Sequence, residues 1–255
     1  MIKLVKHETG VVLLTLNRPP ANAFDGEAIE QLSEYVNEIQ TNPQVRALII
    51  TAEGKFFSAG ADIRFMAEAQ RQTDGIHQLA HLAKNMQHVF LQIARLPIPT
   101  VAAISGIATG GGLELAMACD FRIATSNAIL GLPECKIGLL PGAGGTQRLT
   151  ALVGTQFAKR LIMTGELISA EQAKLKGLVD EVTNDANALS AAHAFCKPFL
   201  MIPAITLAGI KNCIAHAPSE RGYEIEIEET YKLQAAPSTV NLMNAFLNRK
   251  KKEMK

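Results

Sequence analysis

Residues 100–116 read TVAAISGIATGGGLELA, a short apolar run that leads through Gly106 to a triple glycine and then to helix-forming residues. The apolar run is typical of a buried strand. A helix that begins at glycines presents backbone N–H groups without side-chain bulk, and these groups bind negative charge. Residues 47–63 repeat the arrangement, with an apolar run followed by small residues up to Ala61 and Asp62. The two stretches predict strand-to-helix units that together hold one anion.

The sequence around these units predicts an α/β fold followed by a helical region. Residues 11–16 read as a further strand, and apolar residues recur at helical spacing behind Asp25, a good N-cap. After Pro141 glycines and prolines separate helical patterns, and strand patterns become rare apart from residues 178–182. We expect an α/β portion over residues 1–190 and a helical portion over residues 191–255. The apolar stripes of the helical portion need a packing partner, for which another subunit is a candidate.

Composition narrows the class of protein. The chain has 255 residues, is 48% hydrophobic, and carries 25 basic against 24 acidic residues. These values suit a globular protein and provide no strong field that attracts nucleic acid or an anionic membrane. We therefore expect no nucleic-acid partner and no membrane partner. The basic run over residues 249–252 is interpreted as a solvated helix end.

The cysteines and the N-terminus indicate a location inside the cell. The cysteine spacing fits no CxxC pair, so we expect reduced and mostly buried thiols. The first residues contain no long apolar segment typical of a signal peptide. We expect a soluble cytoplasmic protein, or a mitochondrial matrix protein if a transit peptide is missing from this sequence. The cysteines are Cys119, Cys135, Cys196 and Cys213.

Two backbone N–H groups, those of Ala61 and Gly111, are the candidate oxyanion-hole donors. Proton removal beside a thioester, or attack of water on its conjugated double bond, moves negative charge onto the carbonyl oxygen. Two preorganised donors stabilise that charge, and losing one typically costs about 10²- to 10³-fold in rate. Other anion cradles fit less well, because residues 110–114 lack the GxGxxG order and residues 141–146 lack the lysine of a P-loop.

Two glutamates lie close to this predicted oxyanion hole. Glu114 follows Gly111 by about one helical turn, so its side chain can lean back over the start of its helix. Glu134 stands between two apolar segments, where a carboxylate is costly unless it is paired or used. One carboxylate can take a proton from water while the other gives a proton to the neighbouring carbon. Their mutual repulsion favours keeping one of them protonated.

Other catalytic classes have less support. His77 and His81 lie four residues apart on a helix, but the sequence offers no third metal ligand near them, so we expect a solvent-facing pair and no metal. Ser58 lies in no GxSxG motif, and no histidine is visible as a partner for Cys119 or Cys135. Nucleophilic catalysis is therefore not expected.

The order of five motifs closely resembles the crotonase, or enoyl-CoA hydratase, family. The resemblance covers nearly the whole chain, from about residue 3 to residue 250. The motifs are Asn17-Arg18-Pro19, Phe57-Ser58-Ala59-Gly60-Ala61-Asp62, Ala108-Thr109-Gly110-Gly111-Gly112-Leu113-Glu114-Leu115-Ala116, Leu132-Pro133-Glu134, and Pro141-Gly142-Ala143-Gly144-Gly145-Thr146-Gln147-Arg148-Leu149.

The resemblance implies a fold, an assembly and a site. The implied fold is a crotonase-like spiral of ββα turns with a helical C-terminal trimerisation region, and the implied assembly is a homotrimer or a dimer of trimers. Glu114 and Glu134 would be the catalytic pair, and the N–H groups of Ala61 and Gly111 the oxyanion hole. The N–H of Gly142 would help to orient water. The coenzyme A path would be lined by Ala59, Ala61, Asp62, Ile63 and Arg64.

The implied activity is hydration of a 2-trans-enoyl-CoA by syn addition, giving a 3-hydroxyacyl-CoA, as in the β-oxidation of fatty acids. Such a lyase needs no cofactor, since coenzyme A is part of the acyl-CoA thioester substrate. Two alternatives stay open at this point. One is a 3,2-enoyl-CoA isomerase, which can work with a single carboxylate at Glu134. The other is a non-catalytic crotonase-like binding protein that contacts RNA through its basic C-terminal tail.

Overall fold

The computed structural model describes residues 2–184, 186–217 and 219–253, with side chains described as far as residue 248. The basic run over residues 249–252 therefore lies outside the described side chains. The chain divides into two compact units, Met1–Lys197 and Pro198–Lys255, and each is described by itself.

Unit 1 contains strands and helices in regular alternation. Its first half comprises β1 (Ile2–Lys6), β2 (Val11–Leu16), α1 (Gly26–Thr41), β3 (Ala47–Ala52), β4 (Phe56–Ser58), α2 (Ile63–Ala69), α3 (Gly75–Arg95), β5 (Thr100–Ile104) and β6 (Ile107–Thr109). Its second half comprises α4 (Gly111–Ala118), β7 (Phe121–Thr125), β8 (Ile129–Gly131), a 3₁₀ helix (Pro133–Ile137), α5 (Gly145–Thr164), β9 (Leu167–Ser169), α6 (Ala170–Leu175), β10 (Glu181–Thr183) and most of α7 (Leu189–Leu200), whose last three residues belong to unit 2.

The strands form two sheets that the chain visits in turn. The six-stranded sheet has the order β1-β2-β3-β5-β7-β10, and the four-stranded sheet has the order β4-β6-β8-β9. The pairs β3/β4, β5/β6 and β7/β8 each place one strand in each sheet before a helical segment follows. Neighbouring turns of this spiral pair in parallel, as in the registers Val101↔Phe121 and Ile107↔Ile129. The predicted spiral of ββα turns is therefore confirmed.

The core of unit 1 lies against the larger sheet. Every residue of β5 is buried, as expected for a parallel strand that is covered on both faces. Helices α1 and α3 pack against each other and bury their apolar stripes. Phe24 and Phe90 meet edge to face with ring centroids 6.0 Å apart, which places α3 beside the loop that follows β2.

The helix start predicted at Asp25 is confirmed, and a capping box stands at a second helix start. The Asp25 side chain accepts a hydrogen bond from the N–H of Ala28 at the start of α1. Ser169 and Gln172 form a reciprocal capping box at the start of α6. The strand expected over residues 178–182 is displaced to Glu181–Thr183, because the N–H of Leu178 instead bonds the carbonyl of Ala173 at the end of α6.

The four-stranded sheet was not predicted as a separate layer. Its strands are three residues long, which is too short to show an alternating pattern. The cysteines are free, as expected, but only Cys119 and Cys196 are buried, whereas Cys135 and Cys213 are partly exposed.

Unit 2 contains α8 (Ala204–His216), α9 (Arg221–Ala235) and α10 (Pro237–Glu253). Helix α9 contacts both of the other helices, and the Asn212 amide donates to Glu229 Oε1 at 3.0 Å between α8 and α9. Large apolar side chains are exposed along these helices, including Ile214, Tyr223 and Ile227. Within the described residues no single helix is both long and apolar enough to cross a bilayer, and the consecutive pair α7 and α8 reaches that limit only when the two are counted together.

Candidate active site

The segments before α2 and at the start of α4 meet at very short range. Gly60 has φ +89°, and a Cβ built on it would lie 2.5 Å from the Gly111 nitrogen. A Cβ built on Gly111 would lie 3.5 Å from the Ala61 nitrogen. Only glycine at position 60 permits this approach, since it supplies both the left-handed backbone and the missing side chain. The amide nitrogens of Ala61 and Gly111 therefore share one corner of unit 1.

Both amides are available to a ligand. The described part of the chain contains no hydrogen bond donated by the N–H of Ala61 or of Gly111, whereas the neighbouring N–H of Gly60 donates to Ser58 Oγ at 3.1 Å. Gly111 is the first residue of α4, where a helix leaves its N–H groups unpaired. This corner is thus a preorganised donor pair of the kind that holds an oxyanion.

The segment that carries Ala61 is braced by the loop after β2. The N–H of Phe24 donates to the carbonyl of Gly60 at 2.7 Å, and the N–H of Asp62 donates back to the carbonyl of Phe24 at 2.8 Å. Arg18 Nη1 donates to Asp62 Oδ2 at 2.9 Å, and this bond holds the pKa of the Asp62 carboxyl below its usual value. The same carboxylate caps α2 through the N–H of Arg64 at 3.0 Å. Asp62 is therefore engaged within the protein.

Glu114 is buried and held by backbone donors. Its Oε1 accepts from the N–H of Ala143 at 2.8 Å and from the N–H of Gly145 at 2.7 Å, where α5 begins. Burial raises the pKa of Glu114, while these two N–H groups and the charge of Arg148 act in the opposite direction. Arg148 Nη1 also donates to the carbonyl of Ala143 at 2.9 Å, so the guanidinium supports the same turn.

Glu134 reaches the same region from the 3₁₀ helix. A Cβ built on Gly110 would lie 3.2 Å from Glu134 Oε1, which places this carboxylate beside the start of α4. Glu134 Oε2 is buried and has no hydrogen-bond partner among the described residues. Burial raises the pKa of Glu134 to about 7, and the nearby charge of Glu114 adds to the increase. Glu134 therefore holds a proton at neutral pH far more readily than an ordinary glutamate.

A cavity of about 610 Å³ connects the two carboxylates with the amide corner. Its other walls are mostly apolar and come from α2, α3 and residues 137–143, with Gln70 and Lys136 as further polar side chains of the described lining. Of the residues predicted from the sequence, those that line this cavity are Ala59, Ala61, Ile63, Gly111, Glu114, Glu134 and Gly142. Asp62 and Arg64 are not among its lining residues within the described chain, and their predicted role in coenzyme A binding stays a prediction.

Sequence reasoning missed several residues that shape the site. Met86 of α3 reaches the amide corner, since its Cε lies 2.7 Å from a Cβ built on Gly111. The donors that hold Glu114 belong to Ala143 and Gly145, whereas only the N–H of Gly142 was singled out from that turn. Arg148 lies in one of the five motifs, but the sequence did not predict a role for it. Its position four residues after Gly144, at the first turn of the helix that begins there, is a signal that it can reach back to that turn.

The histidine pair takes no part in this site. His77 and His81 are exposed on α3. Within the part of the chain that the structure describes, no group of three or more His, Cys, Asp or Glu side chains is arranged to hold a metal ion.

The chain matches the model of one protein family over almost its whole length. The family model for enoyl-CoA hydratase/isomerase matches residues 6–255. A probable enoyl-CoA hydratase of Bacillus subtilis is 38% identical over 252 residues, which cover 96% of this chain and 95% of the relative. An enoyl-CoA isomerase/hydratase of Mycosarcoma maydis, fer4, is 35% identical, with 95% of this chain and 92% of the relative covered.

Solved structures agree with the sequence relatives. The crystal structure of an enoyl-CoA hydratase from Bacillus anthracis superimposes with a TM-score of 0.90 at 33% identity, covering 97% of this chain and 96% of that one. The chain therefore belongs to the enoyl-CoA hydratase/isomerase family and has the crotonase fold.

Proposed function

We propose that the protein is an enoyl-CoA hydratase that adds water to the double bond of a 2-trans-enoyl-CoA and releases a 3-hydroxyacyl-CoA. One observation carries this proposal. The buried Glu114 and the half-buried Glu134, which differ in their hydrogen bonding, line one cavity with the unpaired N–H groups of Ala61 and Gly111. An acid, a base and an oxyanion hole are the groups that conjugate addition to a thioester requires.

The oxyanion hole acts on the thioester carbonyl. As water adds at C3, negative charge moves through C2 to the carbonyl oxygen, and the N–H groups of Ala61 and Gly111 stabilise it there. Because both donors are fixed by their surroundings, little reorganisation is required as the charge develops. Residues 59–63 and Gly111 would in this arrangement also contact the thioester end of coenzyme A.

The two carboxylates divide the proton transfers. Glu114 takes a proton from the attacking water, and two N–H donors and Arg148 oppose the increase in its pKa that burial causes. Glu134 gives a proton to C2, since burial keeps its acid form available near neutral pH. Syn addition results because the hydroxyl group reaches C3 and the proton reaches C2 from the same side of the double bond. Glu134 regains a proton, and Glu114 loses one, before the next turnover, and the reaction requires neither a metal nor a redox cofactor.

The test is the loss of the conjugated thioester absorbance of crotonyl-CoA and 2-octenoyl-CoA. We expect activity in the wild type and a loss of about 10³-fold in both Glu114→Gln and Glu134→Gln, within the range for general acid–base groups. Glu30→Gln is the matched control, because Glu30 lies exposed on α1 away from the cavity. A wild type that leaves all 2-enoyl-CoA thioesters unchanged contradicts the proposal.

A 3,2-enoyl-CoA isomerase is the second candidate, because the unpartnered Oε2 of Glu134 can shuttle a proton without help from Glu114. A 3-enoyl-CoA assay, followed by the appearance of the conjugated product, separates the two activities. Isomerisation that is faster than hydration, and that survives Glu114→Gln, reverses the order of the two proposals.

Assembly is a separate proposal. Unit 2 exposes large apolar side chains on α8 and α9, and exposed apolar patches of this kind mark protein contacts. We propose that they form contacts in a homotrimer or a dimer of trimers. Light scattering of the purified protein tests this, and a monomer at micromolar concentration contradicts it.

A further inference from the structure

One face of α3 forms a continuous wall of the cavity. Ile76, Leu79, Ala80, Ala83 and Met86 all line the cavity, and their spacing of three or four residues places them on one side of the helix. Met86 stands at the oxyanion end against Gly111, and Ile76 stands at the mouth with 78% of its surface exposed. At 1.5 Å per residue this wall is roughly 15 Å long.

The wall faces the carboxylates as well as the amide corner. The Ala83 Cβ lies 3.7 Å from a Cβ built on Gly142, next to the turn that holds Glu114. Gln87 Nε2 donates to the carbonyl of Gly142 at 2.6 Å, so the separation of α3 from this turn is fixed. A chain that leaves the carboxylates toward solvent therefore passes Ala83 first, then Ala80, and then Ile76.

A second group of residues that line the cavity is also apolar. Ile137 is 56% exposed and Leu140 is 68% exposed, and both line the cavity together with Leu139. Exposed apolar side chains that converge on one cavity mark a site for an apolar ligand. The polar side chains of the lining outside the carboxylates are Gln70 and Lys136 in the described chain, and Lys136 packs its Cε 3.1 Å from a Cβ built on Gly165.

These walls suit a hydrocarbon and not the other parts of an acyl-CoA. The pantetheine arm carries amides, and a dicarboxylic acyl chain carries a second carboxylate, and both groups lose hydration without gaining partners along α3. Lys136, the cation of the described lining, is exposed, so an ion pair with that carboxylate contributes little. Three backbone bonds of an extended chain span about 3.3–3.6 Å, or roughly 1.2 Å per bond. The wall of roughly 15 Å therefore accommodates about twelve bonds beyond the thioester carbonyl.

We infer that the preferred substrates are 2-enoyl-CoA thioesters with a straight, uncharged chain of about eight to twelve carbons, and that Ala83 and Ala80 set the permitted length. This inference rests on the proposed hydratase function. Burial of one methylene contributes about 0.8 kcal/mol, which corresponds to roughly a fourfold gain in kcat/KM per added carbon while the chain stays in contact with the wall.

The experiment measures kcat/KM for even-numbered 2-enoyl-CoA thioesters from four to sixteen carbons, with a 2-enoyl-CoA that ends in a carboxylate as a further substrate. In the wild type we expect the ten-carbon substrate to exceed the four-carbon substrate by at least about tenfold, with no further gain beyond about twelve carbons. The carboxylate-terminated chain is expected to be at least about tenfold poorer than the neutral chain of equal length.

Two variants test whether the side chains of α3 limit the length of the acyl chain. Ala83→Phe is expected to lower the ratio of ten-carbon to four-carbon kcat/KM by at least about tenfold. Ala80 lies about 4.5 Å nearer the mouth than Ala83. In Ala80→Phe, kcat/KM is therefore expected to stop increasing at a chain roughly four carbons longer than in Ala83→Phe. His81→Phe is the matched control, since His81 lies on the same helix but outside the cavity lining, and its length profile should equal that of the wild type.

The outcomes separate this inference from the proposed function. A wild type that hydrates four-carbon substrates best, or variants whose cutoffs do not move, overturns the length inference and leaves the hydratase proposal intact. A wild type that hydrates no thioester of any length overturns both. If Ala83→Phe does not fold, the length inference is tested by comparing the longest chain that Ala80→Phe accepts with the longest chain that His81→Phe accepts.

Discussion

Glu114 and Glu134 are the same residue type and face the same cavity, but they differ in their hydrogen bonding. Glu114 Oε1 accepts two backbone N–H donors and lies near a guanidinium. Glu134 Oε2 is buried without a partner among the described residues. Burial raises the pKa of both carboxyl groups, but two N–H donors and a positive charge oppose the increase at Glu114, whereas the charge of Glu114 adds to the increase at Glu134. In the proposed mechanism, backbone geometry and not residue type therefore distinguishes the base from the acid.

Replacing each glutamate in turn is expected to give the largest change in activity. Glu134→Gln should lose both hydration and the exchange of the C2 hydrogen with deuterated solvent, by about 10³-fold, because the group that handles the C2 proton is gone. Glu114→Gln should lose hydration to a similar extent and retain exchange at C2. Proton NMR of a saturated acyl-CoA in D₂O measures the exchange. Equal loss of exchange in both variants means that Glu134 is not the one glutamate that handles the C2 proton.

The pH dependence of the wild type shows whether Glu134 works as an acid. Its pKa is raised to about 7, so its acid form is lost as pH increases through that value. We expect kcat/KM to fall above pH 7 by about tenfold per unit, and so about a hundredfold by pH 9. Crotonyl-CoA hydration across pH 5 to 10 provides the measurement, with Glu30→Gln as the control. A profile that stays flat to pH 9 contradicts the assignment.

Substitution of Arg148 tests the proposed role of Glu114 as the base. Arg148→Met removes the positive charge that opposes the raised pKa of Glu114, so the pKa of Glu114 should increase further. Because the base must be ionised, the acid limb of kcat/KM should move to higher pH, with a loss of about tenfold at pH 6 and a smaller loss at pH 8.

Arg148→Lys keeps the charge and is the matched control for Arg148→Met. Its acid limb should stay closer to that of the wild type, although the hydrogen bond to the carbonyl of Ala143 is altered. Identical acid limbs in the wild type and Arg148→Met mean that the guanidinium has only a structural role.

The smallest effect concerns stability. Because the folded-state pKa of Glu134 is raised from 4.5 to about 7, its ionisation costs stability as pH increases through that interval. Glu134→Gln removes this cost, so the variant should be more stable than the wild type at pH 9, by about 3 kcal/mol at most. Urea unfolding at pH 5 and pH 9 measures the difference. A variant that is no more stabilised at pH 9 than at pH 5 contradicts the raised pKa.

The sequence predicted the parts of the site that local patterns encode. Glycines before helices, the Asp25 cap and the apolar run of β5 each follow from a few adjacent residues, and the structure contains all of them. The proximity of Ala61 and Gly111 was expected from two similar strand-to-helix units, and the short range between them is a consequence of Gly60.

The remainder depends on contacts between residues far apart in the chain. The three-residue strands of the smaller sheet exist because neighbouring turns of the spiral align them, so no sequence window displays them. The hydrogen bonds from Ala143 and Gly145 to Glu114 join α4 to α5, and the bond from Arg18 to Asp62 joins two loops. Residue types alone could not indicate which of the two glutamates has these donors.

The spiral distributes the reacting groups over successive turns. Ala61 follows β4, Gly111 follows β6, and Glu134 follows β8, so parallel pairing of these strands brings three separate loops to one edge of the smaller sheet. Each loop can change in sequence while hydrogen bonds within the sheet keep the other two in place. Under the proposed function, replacement of the acid on one loop therefore leaves the amide corner of Ala61 and Gly111 intact, and this architecture lets new thioester chemistry arise without rebuilding the recognition of the thioester.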